Sequence, residues 1–428
     1  MRIRVGRQKL FAVVLATVFL TPVISWGQSQ RAGLGSWQNP DIGLVYDLRF
    51  DLHDAERDAD GNTEWTTRGF RLSSAELSVG AAIDPYARLD FNAFFSEEGA
   101  EIHELFALFP SLPLNLKLKL GQYLANFGRW NQFHTHSMPF STEPRVMNEY
   151  FDGHLMLDGL ETSWLVPIPI YTELTGGVYN GIEGHTHDAL PTAEESEWGP
   201  DNPPPGCHIH DGEIHCPGNP ELEEEYRATV EDPDAPVQGK TNKGVDDLAY
   251  LLRLKTSIDL GLSWGVDMGV SGIHQPNYAY SQRVPGKTYS KTGFGADITV
   301  FWTPPEANLY RNMDFGVEYF ANNEEFEVKR GEQIFQQTLT RDGAFGYARF
   351  RLNRRWQFGV FGEVFEPRNG PNVEQKRYGG FLTMNISHYQ YITVEFSRYE
   401  ATPTADPLHM IVFQYDGVIG YHTHGSQR

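Results

Sequence analysis

Between Asp41 and Tyr421, polar and apolar residues alternate in about sixteen short segments. In Ser263–Gly272, Trp264, Val266, Met268 and Val270 fall on one face of an extended chain, and Ser263, Gly265, Asp267, Gly269 and Ser271 on the other. Ala296, Ile298, Val300 and Trp302 alternate in the same way with Gly295, Asp297 and Thr299, as do Met313, Phe315, Val317 and Tyr319 with Asp314, Gly316 and Glu318. A period of two marks strands whose two faces meet different surroundings. The pattern predicts strands near 41–53, 67–83, 86–96, 100–109, 114–123, 158–166, 170–180, 247–259, 262–272, 290–303, 310–321, 343–352, 355–366, 376–387, 390–400 and 408–420.

Alternation alone fits a soluble sandwich as well as a membrane barrel. The connections separate the two. Those at 84–85, 110–113, 167–169, 259–261, 303–307, 353–354 and 388–389 are short, and those between them are mostly longer, above all 124–157 and 181–246. Short turns at one end, long loops at the other and an even strand number are the plan of a transmembrane antiparallel β-barrel with periplasmic turns and external loops. The expected fold is therefore all-β, a barrel of about sixteen strands.

The start of the chain agrees. Arg2, Arg4, Arg7 and Lys9 precede an apolar run from Leu10 to Ile24 and then Ser25-Trp26-Gly27, which reads as a signal peptide over 1–27 with the barrel in 28–428. The run is short for a helix crossing roughly 30 Å of hydrocarbon. No later stretch is long enough, so a membrane role after export to the outer membrane rests on strands. Hydrophobic residues make up 40% and mean hydropathy is −0.44, values that suit a wall with a polar lumen. Aromatics at 13% suit girdles at the two lipid interfaces. Without the four leader cations, 31 basic side chains face 56 acidic ones and the charge is near −25. Nucleic acid and anionic surfaces are poor partners for such a chain.

The same alternation places charges inside the barrel. Arg88 opposes Leu89, Lys117 and Lys119 oppose Leu116, Leu118 and Leu120, Arg253 and Lys255 oppose Leu252 and Leu254, and Arg349 and Arg351 oppose Phe350 and Leu352. A water-filled lumen is the expected environment for them. The loop 124–157 is too dense in aromatic and charged residues for a mobile tip, and its Arg129, His134, His136, Glu143, Arg145 and Glu149 are the candidates for a pore constriction. Imidazoles two apart, as in His134-Thr135-His136, either hydrogen-bond within a packed loop, the commoner use, or share a metal ion.

From Gly121 to Pro167, with a His-x-His-x-x-Pro core, the chain resembles Gram-negative outer-membrane porins, particularly those grouped with phosphate-selective porins, in which the third external loop folds into the barrel. Together with the terminal Gly420-Tyr421-His422-Thr423-His424-Gly425, the wording is also similar to a group described as zinc-regulated outer-membrane proteins. The resemblance implies an inward-folded third loop and, as porins of this size often form them, a homotrimer. Energy-coupled receptors need a plug domain and a barrel of about 22 strands, for which this chain has no room.

The longest loop, 181–246, carries fifteen acidic side chains, one basic residue (Arg227) and nine prolines between 183 and 238. Such a segment cannot bury a core, and over a pore mouth it concentrates cations. Within it, Cys207-His208-Ile209-His210-Asp211-Gly212-Glu213-Ile214-His215-Cys216 is nearly symmetric about Asp-Gly, the strongest short hairpin signal. With Asp211-Gly212 as the turn, His210 faces Glu213, His208 faces His215, and Cys207 faces Cys216 at a Cα separation of roughly 4.5 Å, within disulfide range. Alternation sends His208, His210, Glu213 and His215 to one face, a donor set for Zn²⁺ or a similar ion. A Cys2His2 centre would need reduced thiolates, whereas an exported chain favours the disulfide.

The expected function is an outer-membrane channel for small hydrophilic solutes or ions, linked through this loop to uptake of zinc or another transition metal. The barrel itself needs no cofactor, and no nucleophile motif marks an enzyme. The alternatives are a surface binding or adhesion barrel whose lumen the 124–157 loop shuts, and a barrel hydrolase.

Overall fold

The computed structural model describes residues 40–57, 63–96, 99–151, 153–182, 208–210, 213–215, 237–238, 244–281, 284–305, 310–330, 333–367, 373–401 and 406–420. Its strands are β1 (Asp41–Arg57), β2 (Thr63–Ala82), β3 (Arg88–Ser96), β4 (Gly99–Leu112), β5 (Leu116–Leu124), β6 (Met156–Leu165), β7 (Tyr171–Tyr179), β8 (His208–His210), β9 (Glu213–His215), β10 (Val237–Gln238), β11 (Ala249–Leu260), β12 (Trp264–Tyr280), β13 (Thr288–Trp302), β14 (Asn312–Arg330), β15 (Gln333–Arg351), β16 (Trp356–Phe365), β17 (Gln375–Asn385), β18 (Gln390–Glu400) and β19 (Leu408–Gly420). The expected signal peptide, Cys207 and Cys216 lie outside the described residues.

β1–β7 and β11–β19 form a sixteen-stranded antiparallel wall that closes through β1 and β19, from Gly43 opposite Gly420 to His53 opposite Met410. β10 adds a short extra strand beside the outer end of β12, and β8 pairs only with β9. Closure gives every strand two neighbours, which lipid requires because it offers no partner to a free N–H or C=O. Among the described residues, no helix is long and apolar enough to cross a membrane.

The two faces are sorted as the alternation predicts. Leu48, Leu252, Val270, Phe294, Phe315, Val360, Leu382, Phe396 and Phe413 are large, apolar and exposed on the outside. Water would penalise a belt of that extent, whereas lipid accepts it. Trp164, Trp264, Trp302 and Trp356 sit at the short-turn ends of their strands, where one girdle belongs. The inside carries polar side chains: Lys117 stands opposite Ser163, Lys255 opposite Glu173, Arg253 opposite Thr175 and Arg349 opposite Asp314. Inward glycines make room for rings on the neighbouring strand. A Cβ at Gly316, Gly359 or Gly379 would collide with Tyr347, Phe381 or Phe361 respectively, so these rings lie flat against the wall.

Two expectations need correction. Several strands run further outward than the alternation indicates: β12 continues to Tyr280, β14 to Arg330, and β15 begins at Gln333. The outward face turns polar there (Asn323, Glu325; Gln336, Thr338) while Phe326, Phe335 and Leu339 fall on the inward one, so the apolar-out signal is lost while backbone pairing continues from Glu324 opposite Leu339 to Arg330 opposite Gln333. The β14–β15 connection is consequently a tight one. The lumen is also not water-filled throughout, because an apolar core crosses it at the level of the 125–155 loop.

A closed wall of this kind should resist detergent until heated. The refolded chain should migrate faster in SDS unheated than boiled, and should fractionate with the outer membrane. Recovery as a soluble periplasmic protein would overturn the barrel.

Candidate functional site: a loop clamped inside the barrel

The segment 125–155 leaves β5 and returns to β6, and between them it crosses the barrel interior. It contains two 3-10 turns, Trp130–Gln132 and Thr135–Ser137, and one short helix, Arg145–Phe151. Gly128 takes a positive φ of 66° at the first bend, a conformation that costs glycine little. Pro144 stands just before the helix, where a missing N–H removes no helical hydrogen bond.

A loop buried in a barrel must find acceptors for its amides, and the wall's own backbone is already engaged in the ladder. Side chains supply them. Glu104 of β4 accepts from the amide of Leu124 (3.1 Å), Glu161 of β6 from Asn126 (3.0 Å), and Glu318 of β14 from Arg129 (3.0 Å) and Trp130 (2.6 Å). Further round, Glu363 of β16 accepts from Val146 (3.4 Å), and Glu395 of β18 accepts from the Ser141 amide (2.7 Å) and the Thr142 hydroxyl. Glu76 of β2 faces His134 and His136. Six glutamates, each from a different even-numbered strand, thus grip one loop. Asn131 pins the loop's two legs together, donating to the Ala125 and Leu155 carbonyls and accepting from the Leu155 amide.

Apolar side chains fill the space between these anchors. Phe127, Trp130, Phe133, Phe140, Val146, Met147, Tyr150 and Phe151 from the loop pack against Phe320, Phe345, Tyr347, Phe361, Phe365, Phe381 and Tyr399 from the wall. The Phe140 and Phe361 rings stack at 4.3 Å, and Trp130 meets Phe345 edge-on at 5.1 Å. Such pairs add about 0.5–1.5 kcal/mol each beyond the area they bury.

The six sequence-derived constriction residues all lie on this loop, and they are packed into it. Arg129 pairs with Asp267 (3.2 Å) and lies over the Phe301 ring. His134 and His136 face carboxylates, the hydrogen-bonding arrangement of a packed loop. Glu143 meets His154 Nε2 at 3.0 Å, and the Arg145 guanidinium lies 3.8 Å from the centre of the Tyr399 ring. Glu149 is half-buried on the helix. Burial, reinforced by the charges of His103 and His134, lowers the His154 pKa to about 3, so its ring is neutral beside Glu143. Burial disfavours charge on His134 too, but Glu76 and Glu104 outweigh it and hold its pKa well above the usual 6.5.

The expected lumen cations occupy the inward face, six of them paired with a carboxylate or laid over a ring. Arg253 is buried in a bidentate pair with Asp297 (2.8 and 3.1 Å), Arg349 pairs with Asp314 (2.8 Å), and Arg88 with Asp90 (2.7 Å). Lys117 reaches Glu173 at 3.5 Å, Lys255 reaches Asp267 at 4.0 Å, and Lys119 lies over the Phe106 and Tyr123 rings. Arg351 stands opposite Asn312 on the inward register. The residues the sequence reading missed are the glutamates. Their signal was present, since each is a carboxylate at an inward position of a strand, but nothing local says which loop it serves.

At the long-loop end, β8 and β9 pair with His208 opposite His215 and His210 opposite Glu213. Among the described residues, no group of three or more His, Cys, Asp or Glu is arranged to hold a metal ion.

No protein-family model matches the chain. A protein of Aquifex aeolicus (strain VF5), described as uncharacterized, is 26% identical over 371 residues, covering 83% of this chain and 70% of that one. Three solved structures share the fold at low identity. The anion-selective porin from Comamonas acidovorans has a TM-score of 0.54 at 6% identity, over 89% of this chain and 99% of that one. Pseudomonas putida OprB gives 0.52 at 8%, over 89% and 94%, and the outer-membrane channel DcaP of Acinetobacter baumannii 0.51 at 10%, over 91% and 100%. The architecture is that of the outer-membrane porin barrels.

Replacing Glu318 with Leu should loosen the loop, because the Arg129 and Trp130 amides then lose their acceptor at about 1–3 kcal/mol each. Glu318→Gln keeps one acceptor oxygen and should be milder. Limited proteolysis between 125 and 155 reads the difference; equal resistance in wild type and both variants would remove Glu318 from the clamp.

Proposed function

We propose that the chain is an outer-membrane channel through which small hydrophilic solutes or ions diffuse, with the 125–155 loop setting the width of the passage. The observation that carries this reading is a closed barrel with an apolar outside and charged pairs inside. In three of those pairs the cation is the more exposed member: Lys117 at 39%, Lys255 at 25% and Arg349 at 27%, against 14% or less for their acidic partners. Water on the short-turn side of the loop therefore meets ionic groups. Passive diffusion through such a space needs no reacting side chain.

The apolar core that crosses the lumen favours one rival, a surface binding or adhesion barrel held shut by its third loop. Planar-bilayer recording separates the two. On the channel reading, the wild-type barrel conducts and deletion of 129–149 raises its single-channel conductance. Silence in the wild type with conduction after deletion supports the shut barrel.

The resemblance to phosphate-selective and zinc-regulated outer-membrane proteins supports a finer proposal, that the long loop collects a transition metal before uptake. His208, His210 and His215 would be ligands, Glu213 a fourth ligand or a partner to one of them, and a Cys207–Cys216 disulfide would hold the ribbon. The backbone register sets His208 opposite His215 and His210 opposite Glu213. A homotrimer is the assembly this resemblance implies. Zinc titration of the whole refolded barrel should show saturable binding that weakens as pH falls through about 6.5, where imidazoles take up protons. Binding that survives replacement of all three histidines by alanine would end the metal reading.

A further inference from the structure

The loop is fastened differently on its two sides. Towards β14, β16 and β18 its anchors are backbone amides donating to Glu318, Glu363 and Glu395, and an amide does not titrate in any ordinary range. Towards β2 and β4 the anchor includes an imidazole. His134 Nδ1 lies 3.1 Å from Glu76 Oε1 and its Nε2 lies 3.3 Å from Glu104 Oε2. Carboxylates only accept, so a ring with both nitrogens facing carboxylates must carry both protons. The ring is therefore an imidazolium bridging two strands.

We propose that His134 is a pH-sensitive latch: its charged ring fastens this side of the loop to β2 and β4, and loss of one ring proton releases the loop and widens the lumen. The proposal rests on the channel reading above for its consequence, but not for the latch itself. The groups packed around the ring are consistent with it. From β2 comes Glu76, which also faces His136 Nδ1 at 3.5 Å. From β4 come Glu104 and His103, whose ring is 6.3 Å from that of His134. Lys119 on β5 bears electrostatically on Glu104, and on the loop itself His136 lies 5.8 Å away, ring to ring, with the neutral His154 nearby. Asn92 of β3 donates to Glu104 at 2.7 Å and holds that carboxylate in place.

The sign follows from charge. A neutral His134 retains one N–H for two buried carboxylates, so one of them faces a lone pair instead of a donor. Because the pKa of His134 is raised by its partners, the latch is complete below about 6.5 and is lost as pH rises through the raised value. Alkaline conditions open it.

The test uses the full refolded barrel in planar bilayers between about pH 6 and about pH 10, with hydrogen–deuterium exchange of 125–155 followed in parallel. Wild type should show one titration step in which conductance and loop exchange rise together. Glu104→Gln keeps the shape but removes one negative charge, so the step should move down by about one pH unit or more. His134→Gln should lack the step and exchange fast throughout, with heat-modifiable migration confirming that the barrel has formed. A step that persists in H134Q, one that stays at the same pH in E104Q, or its absence from wild type would overturn the latch. A His134-dependent exchange step without conductance at any pH would keep the latch and sink the channel reading; conductance without a step does the reverse.

Discussion

A peptide chain led into the middle of a β-barrel arrives with amides that have nothing to bond. The wall cannot help through its own backbone, because closure commits its N–H and C=O groups to neighbouring strands. Acceptors come from inward side chains, mostly glutamates, with the Ser271 hydroxyl taking the Gly128 amide at 3.1 Å. Glu161, Glu318, Glu363 and Glu395 each take at least one loop amide, Glu318 takes two in succession, and Glu104 takes the last amide of β5. A buried amide left without an acceptor costs about 1–3 kcal/mol, so a handful of losses rivals the entire stability of an ordinary domain. The path of the loop is therefore set by the heights at which these strands present their glutamates.

Once those anchors fix the path, apolar packing follows. The inward face keeps polar residues where water reaches it and gives way to Phe320, Phe345, Phe361, Phe365 and Phe381 where the loop passes. The outward face stays apolar along the same strands, so at this level the contrast between faces disappears. Phe320 sits between Tyr319 and Ala321, and Phe345 between Ala344 and Gly346. Rings on the inside need flat wall to lie against, which is why their cross-strand partners include Gly316, Gly359 and Gly379.

This explains what the sequence made legible. Strand existence, order and facing were readable because lipid and lumen differ along most of each strand, as in Trp264–Val270. Strand length was not readable beyond the membrane, where Glu324–Arg330 and Gln333–Arg341 pair with polar residues on the outward face. The loop's residence in the barrel was readable from its aromatic density, but its charged residues suggested an open constriction. Arg129 is instead paired with Asp267, Arg145 is stacked on Tyr399, and Glu143 is buried beside His154. Which wall residues hold them depends on contacts between positions up to 254 residues apart, such as Ser141 with Glu395, and no local pattern encodes that.

Buried charge pairs are weak evidence for stability, because desolvation offsets much of their attraction, yet removing one partner is costly. That asymmetry gives the two sides of the loop different characters. On the side of Glu318, Glu363 and Glu395 the donors are backbone amides, which keep their protons in any ordinary range. On the side of Glu76 and Glu104 the donors include, beside the Leu124 amide, an imidazole whose second proton is held by both carboxylates. A fastening built from permanent donors alone would make the loop part of the wall. On the proposed latch, a titratable donor on one edge makes that edge alone responsive to pH, while the Asn131 bridge keeps the loop's two legs together.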